Sequence, residues 1–160
     1  MFTMKYDITV GNYRIGMLDM VEVHRSVELL ADTATITLPG AQYNVALEVE
    51  SSLKRGDAVC IRFGYEEFGL VEEFSGYLQR VSTDGGSITL TCEDDLFTFR
   101  RDIPNEVLKN VSLKELLQKV IGGIGQPYSV DCSYQWTYSK FVINNATGYD
   151  VLKKVQEECG

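Results

Sequence analysis

The side chains in this sequence with types suited to chemistry include one histidine, four cysteines, runs of acids and a cluster of aromatics. His24 stands between Val23 and Arg25 in an extended stretch. Acyl transfer by Ser or Cys needs a base beside the nucleophile, most often a histidine. With Arg25 and Ser26 as its neighbours, His24 reads instead as an exposed or interface strand residue. Cys60, Cys92, Cys132 and Cys159 are scattered, with no CxxC pair and no metal-ligand spacing. Cys60 and Cys92 fall on expected strands where they could face each other, and they read as small core residues. The expectation is therefore a chain with no catalytic residues, no metal site and no cofactor, and so not an enzyme.

The acids Glu66-Glu67, Glu72-Glu73 and Glu93-Asp94-Asp95 lie at expected strand ends and loops. A glycosidase needs two carboxylates converging across a cleft, whereas adjacent acids on a strand point to opposite faces. The run at 93–95 also lacks the ligand spacing and glycine of a calcium loop. Solvated acids or a shared electronegative surface remain. Gly122-Gly123-Ile124-Gly125 follows an expected helix, and a phosphate cradle precedes one, so it reads as a helix stop. Tyr128, Tyr134, Trp136, Tyr138 and Phe141 could stack sugars or bases, but without basic partners they read as core or interface.

The chain has 160 residues, enough to bury one core without disulfides or metals. Fifteen basic and 23 acidic side chains give a net charge of −8, a poor basis for gripping nucleic-acid phosphates. The charge is uneven. Residues 111–160 carry five basic and five acidic side chains, whereas residues 1–110 carry ten and eighteen, which suggests two regions of different character. No signal-peptide pattern opens the sequence, and no apolar run approaches the ~20 residues of a membrane helix. These features suit a protein made in the cytoplasm with reduced thiols.

Extended elements must position the first group of residues. Thr33, Thr35 and Thr37 alternate with Ala34, Ile36 and Leu38; Val59, Ile61, Phe63 and Tyr65 alternate with smaller or polar residues; Ile88, Leu90 and Cys92 oppose Thr89 and Thr91. Val21, Val23 and Val27 mark another strand, and Phe74–Val81 a further one in which Gly76 permits a bulge or bend. Gly11-Asn12, Pro39-Gly40, Gly56-Asp57 and Asp84-Gly85-Gly86 supply turns. The stretch from Gln42 to Leu53 is ambiguous among loop, strand and short helix. Short strands without helices imply an antiparallel barrel or sandwich over residues 1–102.

After Pro104-Asn105 the pattern changes. Ser112 and Glu115 form a capping box, Leu113 to Ile124 follow at helical spacing, and Gly122-Gly123 ends the helix. Tyr128–Cys132 and Lys140–Ile143 read as a strand pair, and Thr147 with Asp150 opens a second helix. Residues 103–160 thus read as a small α-β-β-α domain in an α+β, mainly β chain.

Taken in order, Pro39 closing a strand, Gly56-Asp57, Gly64-Tyr65, Phe74-Ser75-Gly76-Tyr77, Val81 and Cys92-Glu93-Asp94 form a pattern. The chain resembles the hub proteins of contractile phage tail baseplates, including the Mu-like and T4-like hubs and the late control protein D group. SLKELLQKVI and ATGYDVLKKVQEE extend the resemblance over nearly the whole chain. It implies a tail-tube-like β-barrel followed by a small α/β domain, in a homotrimer that joins the tail tube to the spike. It also implies a place in the virion after assembly in the host cytoplasm, no membrane, and DNA passing without specific binding. Such hubs usually carry two barrels per chain, so this chain is expected to be an N-terminal part, or to have its second barrel supplied elsewhere. Glu66, Glu72 and Asp94 are then candidates to face the lumen, and Tyr134, Trp136 and Tyr138 to lie at an interface. A sugar- or protein-binding β-module, the spike N-terminal region of a type VI-like secretion system and a hydrolase with converging acids are the alternatives.

Overall fold

Alternation of apolar and polar residues builds the larger sheet. In Thr33–Leu38 (β4), Ala34, Ile36 and Leu38 are buried while the threonines between them face the other way and stay half-buried. Ile88, Leu90 and Cys92 of Ser87–Glu93 (β7) repeat this, with Thr89 and Thr91 opposite Thr37 and Thr35 on the far face. The computed structural model describes residues 3–39, 52–84 and 86–159. The chain divides into two compact units, Met1–Phe97 and Thr98–Gly160.

The first unit also contains Met4–Val10 (β1), Tyr13–Arg14 (β2), Met20–His24 (β3), Ala58–Tyr65 (β5) and Gly69–Asp84 (β6). Together with β4 and β7 they form one seven-stranded antiparallel sheet in the order β2-β1-β5-β6-β7-β4-β3. Ile8, Ile36, Ile61, Leu78 and Leu90 are fully buried on one face, in a single core that also takes Leu53. A closed barrel is expected from sequence, but among the described residues β2 and β3 do not pair and the ladder stays open. β2 is only two residues long and meets β1 through Thr9 and Val10 alone, too short to carry the ladder round. Val27 lies fully exposed beyond β3 rather than within a strand. Gly40, Gly85 and the stretch from Gln42 to Ser51 lie outside the described residues.

β6 runs for 16 residues, well beyond the expected Phe74–Val81. Its register shifts opposite Ile61/Arg62 and again between Leu78 and Arg80, so the bulges flank Gly76 rather than coincide with it. The requirement for glycine at 76 is close approach: a Cβ there would run into the carbonyl of Glu93.

The second unit contains Glu106–Ser112 (β8), Leu113–Ile124 (α1), Thr137–Ile143 (β9) and Gly148–Cys159 (α2). Its order is β-α-β-α, not helix-strand-strand-helix. β8 pairs with β9, and Tyr128–Cys132, expected as a strand, is irregular. The cause is local. Asn110 takes a left-handed backbone (φ 51), so Leu108 and Val111 are both buried despite their odd spacing. β9 changes phase at the same level, burying Tyr138 and Phe141. A strand with broken alternation does not announce itself in sequence.

Both capping boxes form. The Ser112 hydroxyl accepts from the Glu115 N–H at 3.3 Å while the Glu115 carboxylate accepts from the Ser112 N–H at 2.9 Å. At α2 the Thr147 hydroxyl accepts from Asp150 N–H at 3.1 Å, and Asp150 accepts from Thr147 N–H at 2.9 Å. α1 passes through Gly122-Gly123 and ends instead at Gly125, in the left-handed region, whose N–H donates to the Ile121 carbonyl. Gly123 is closely packed, since a Cβ would stand 3.0 Å from Ile103 Cγ2.

Gly76→Ala should destabilise the chain by about 2–3 kcal/mol through overpacking, whereas Gly122→Ala, with open space at its Cβ position, should stabilise it by ~1 kcal/mol; urea unfolding measures both. The Thr147 hydroxyl and N–H hold the Asp150 carboxyl below its usual value. A carboxyl lowered in the folded state adds stability above its unfolded pKa and loses it as pH falls through the folded one. Thr147→Ala should therefore cost about 1 kcal/mol at neutral pH, and the gap to the parent should narrow from about pH 4 downward, as the part carried by the hydroxyl–carboxylate bond is lost.

Candidate interaction surfaces

The three candidate lumen acids do not form one cluster. Glu66 sits in the turn between β5 and β6, exposed and paired with Lys5 at 2.6 Å. Glu72 lies exposed on β6 opposite Arg62, and its carboxylate accepts the Cys60 thiol at 3.4 Å. Asp94 follows β7 beside Gly76, four residues along β6 from Glu72. It acts as a staple: its carboxylate accepts the N–H groups of Asp32 at 2.8 Å and Leu96 at 2.9 Å. Burial nevertheless raises its pKa, because desolvation outweighs those two hydrogen bonds. Next to it the buried Glu93 accepts from Gln79 at 3.2 Å.

Cys60 and Cys92 lie on opposite faces of the sheet and do not meet; of the two expected core residues, Cys92 is buried and Cys60 is not. Cys92 is in the core, where burial pushes its thiol up to about 12. Burial, then the Glu72 hydrogen bond, raises Cys60 as well. Both shifts disfavour a thiolate. His24 is exposed at the end of edge strand β3, opposite Thr33. Among the described residues no three His, Cys, Asp or Glu side chains gather as metal ligands, and no helix is long and apolar enough to cross a membrane.

The first unit has an apolar surface that sequence reasoning passed over. Beyond the core, β5, β6 and the start of β1 continue as an arm. Met4, Tyr65 and Val71, together with Phe68 at its tip, remain exposed around a groove of about 300 Å³. Phe68 is 76% exposed. The register continues the core pattern, with Met4 opposite Tyr65 and Val71 opposite Phe63. Apolar strand residues in sequence look the same whether or not something covers them. The signal present was the length of uninterrupted strand-forming sequence on both sides of the turn.

The second unit gathers the candidate interface aromatics into a ladder. Tyr134 and Trp136 lie nearly parallel with centroids 6.4 Å apart, Trp136 meets Tyr138 edge-on at 6.2 Å, and Tyr138 meets Phe141 edge-on at 5.1 Å. Lys154 Nζ caps the inner end, 4.6 Å from the Phe141 ring centre. Exposure grades along it: Tyr138 is 9% exposed and Trp136 41%, with Tyr134 more open still. Burial and the Cys159 thiol at 3.5 Å raise the Tyr138 pKa. The inner rungs are core and the outer rungs are surface. Tyr128 stands apart, stacked on Phe99 at 5.6 Å.

No protein-family model matches the sequence, and no curated protein matches it. Solved structures resemble it in fold. The 43 kDa tail protein of prophage MuSo2 from Shewanella oneidensis matches with a TM-score of 0.63 at 14% identity, over 99% of this chain and 51% of that one. The tail protein from Neisseria meningitidis MC58 matches with a TM-score of 0.56 at 14% identity, over 93% of this chain and 44% of that one. The present chain thus spans about half the length of each.

The graded ladder predicts two different responses. Tyr138→Ala should cost about 3 kcal/mol by removing a buried ring. Trp136→Ala should cost under ~1 kcal/mol and leave the unfolding curve near that of the parent. Since Trp136 is the single tryptophan, acrylamide should quench its fluorescence readily in the isolated chain. A strongly shielded indole would contradict the exposed outer rungs.

Proposed function

We propose that this chain is a structural component of a phage or prophage tail, with no catalytic step of its own. The observation that carries the reading is the fold likeness, over nearly the whole chain, to two tail proteins. The ordered motifs from Pro39 through Gly56-Asp57 and Gly76-Tyr77 to Cys92-Glu93-Asp94 support it from sequence. More finely, the chain is part of the baseplate hub of a contractile tail, a trimer that links the tail tube to the spike. Its partners are copies of itself, tube proteins and spike proteins, and its place is the virion, after assembly in the host cytoplasm.

In this reading the seven-stranded sheet is a wall of the tube fold, with β2 and β3 at its open edges. The acidic first unit lines the passage, where repulsion keeps a polyanion from adhering. Glu66 and Glu72, both exposed, contribute to that lining; Asp94 contributes less, since two backbone N–H groups already hold its carboxylate. A second reading rests on the exposed, near-parallel Tyr134 and Trp136, which suit a flat sugar ring in a carbohydrate-binding module.

The test is particle composition. With the chain tagged in the cell that carries it, particles released by induction are purified, and label is located by immunogold microscopy. The tail reading expects label at the tail tip and incomplete tails when the gene is deleted. Particles that are complete without the chain would remove it. Binding of the isolated chain to a glycan array, lost in Trp136→Ala, would favour the second reading.

A further inference from the structure

The outward face of the β8–β9 pair is built in a way that the second unit alone does not explain. Val107 lies directly opposite Val142, and the two are 55% and 44% exposed. One step along, Lys109 lies directly opposite Lys140, both exposed and on the same face as the valines. Like charges paired across strands repel and destabilise a sheet. Neither lysine forms an ion pair among the described residues, although Lys119 nearby is neutralised by Glu106 at 2.8 Å. Lys109 also borders a groove of about 450 Å³ with Asn110, Glu115, Gln118 and Lys119, where the Glu115 carboxylate is taken up by Ser112. An apolar pair beside two unneutralised lysines fits a partner that offers an apolar side chain next to a carboxylate.

The same chain carries that complement. At the tip of the β5–β6 arm the exposed Phe68 follows Glu67, which makes no ion pair among the described residues. Charge complementarity extends beyond the tip: the first unit has seven basic and sixteen acidic side chains, the second eight and seven. We propose that the outer β8–β9 face of one copy receives the β5–β6 tip of a second copy, Phe68 on the Val107–Val142 pair and Glu67 between Lys109 and Lys140. Such a contact is heterologous, using different surfaces on the two copies. It needs no tail to form and so stands apart from the assembly reading.

Sedimentation velocity on the full chain tests it. The parent's weight-average mass should rise above 18.0 kDa with concentration, and rise less in high salt. K109E/K140E should weaken association about ten-fold, and Phe68→Ser should weaken it comparably. Combining K109E/K140E with E67K in one chain should restore association, because every copy then presents an acidic face and a basic tip. Circular dichroism and urea curves check that the variants fold. A parent at 18.0 kDa under all conditions, a lysine variant that associates like the parent, or a combined variant that fails to recover would each overturn the contact. A failed charge swap with the chain present in tail particles would leave the tail reading intact. A working swap with the chain absent from particles would do the reverse.

Discussion

At Gly76 the backbone of β6 lies against the carbonyl of Glu93 with no room for a side chain, and much of the first unit follows from that contact. β6 is the one strand that both joins β5 to β7 and runs past the core as an arm. With Gly76 pressed on the end of β7, and a register shift on either side, its course is set at three points within a few residues. Asp94 then fastens the same end of β7 to Asp32, ahead of β4. The buried core face and the exposed arm are thus two ends of one strand.

What sequence made legible follows from how local each signal is. β4 and β7 could be read residue by residue, since strict alternation reflects burial on one face. The boxes at Ser112 and Thr147 could be read because their partners lie three residues away. β8 escaped because Asn110 breaks the phase, and its pairing with β9 depends on a partner some 30 residues distant. Gly125 was passed over for Gly122-Gly123, since a glycine that avoids Ile103 and one that stops a helix are spelled alike. For the candidate sites, sequence located the aromatic ladder but not its grading from core to surface. It named Asp94 as an acid without revealing the two N–H groups that occupy it.

The charge imbalance acquires a location in the structure. The acids belong overwhelmingly to the sheet unit, while the second unit is close to neutral and holds a like-charged lysine pair on an open face. A chain whose two units differ in this way is polarised, and association between unlike surfaces is the arrangement that reduces the imbalance.

The threonines of the far face bring a different kind of consequence. Thr33, Thr35, Thr37, Thr89 and Thr91 tile the side of the sheet opposite the core. A threonine offers its methyl to neighbouring strands and its hydroxyl to whatever lies above, as donor or acceptor. The tiling is wettable and is bordered by charge, since Glu22 lies opposite Thr35 and Arg80 opposite Thr91. One sheet thus separates a dry side, closed by aliphatic side chains, from a side able to hydrogen-bond to water or to another polar surface.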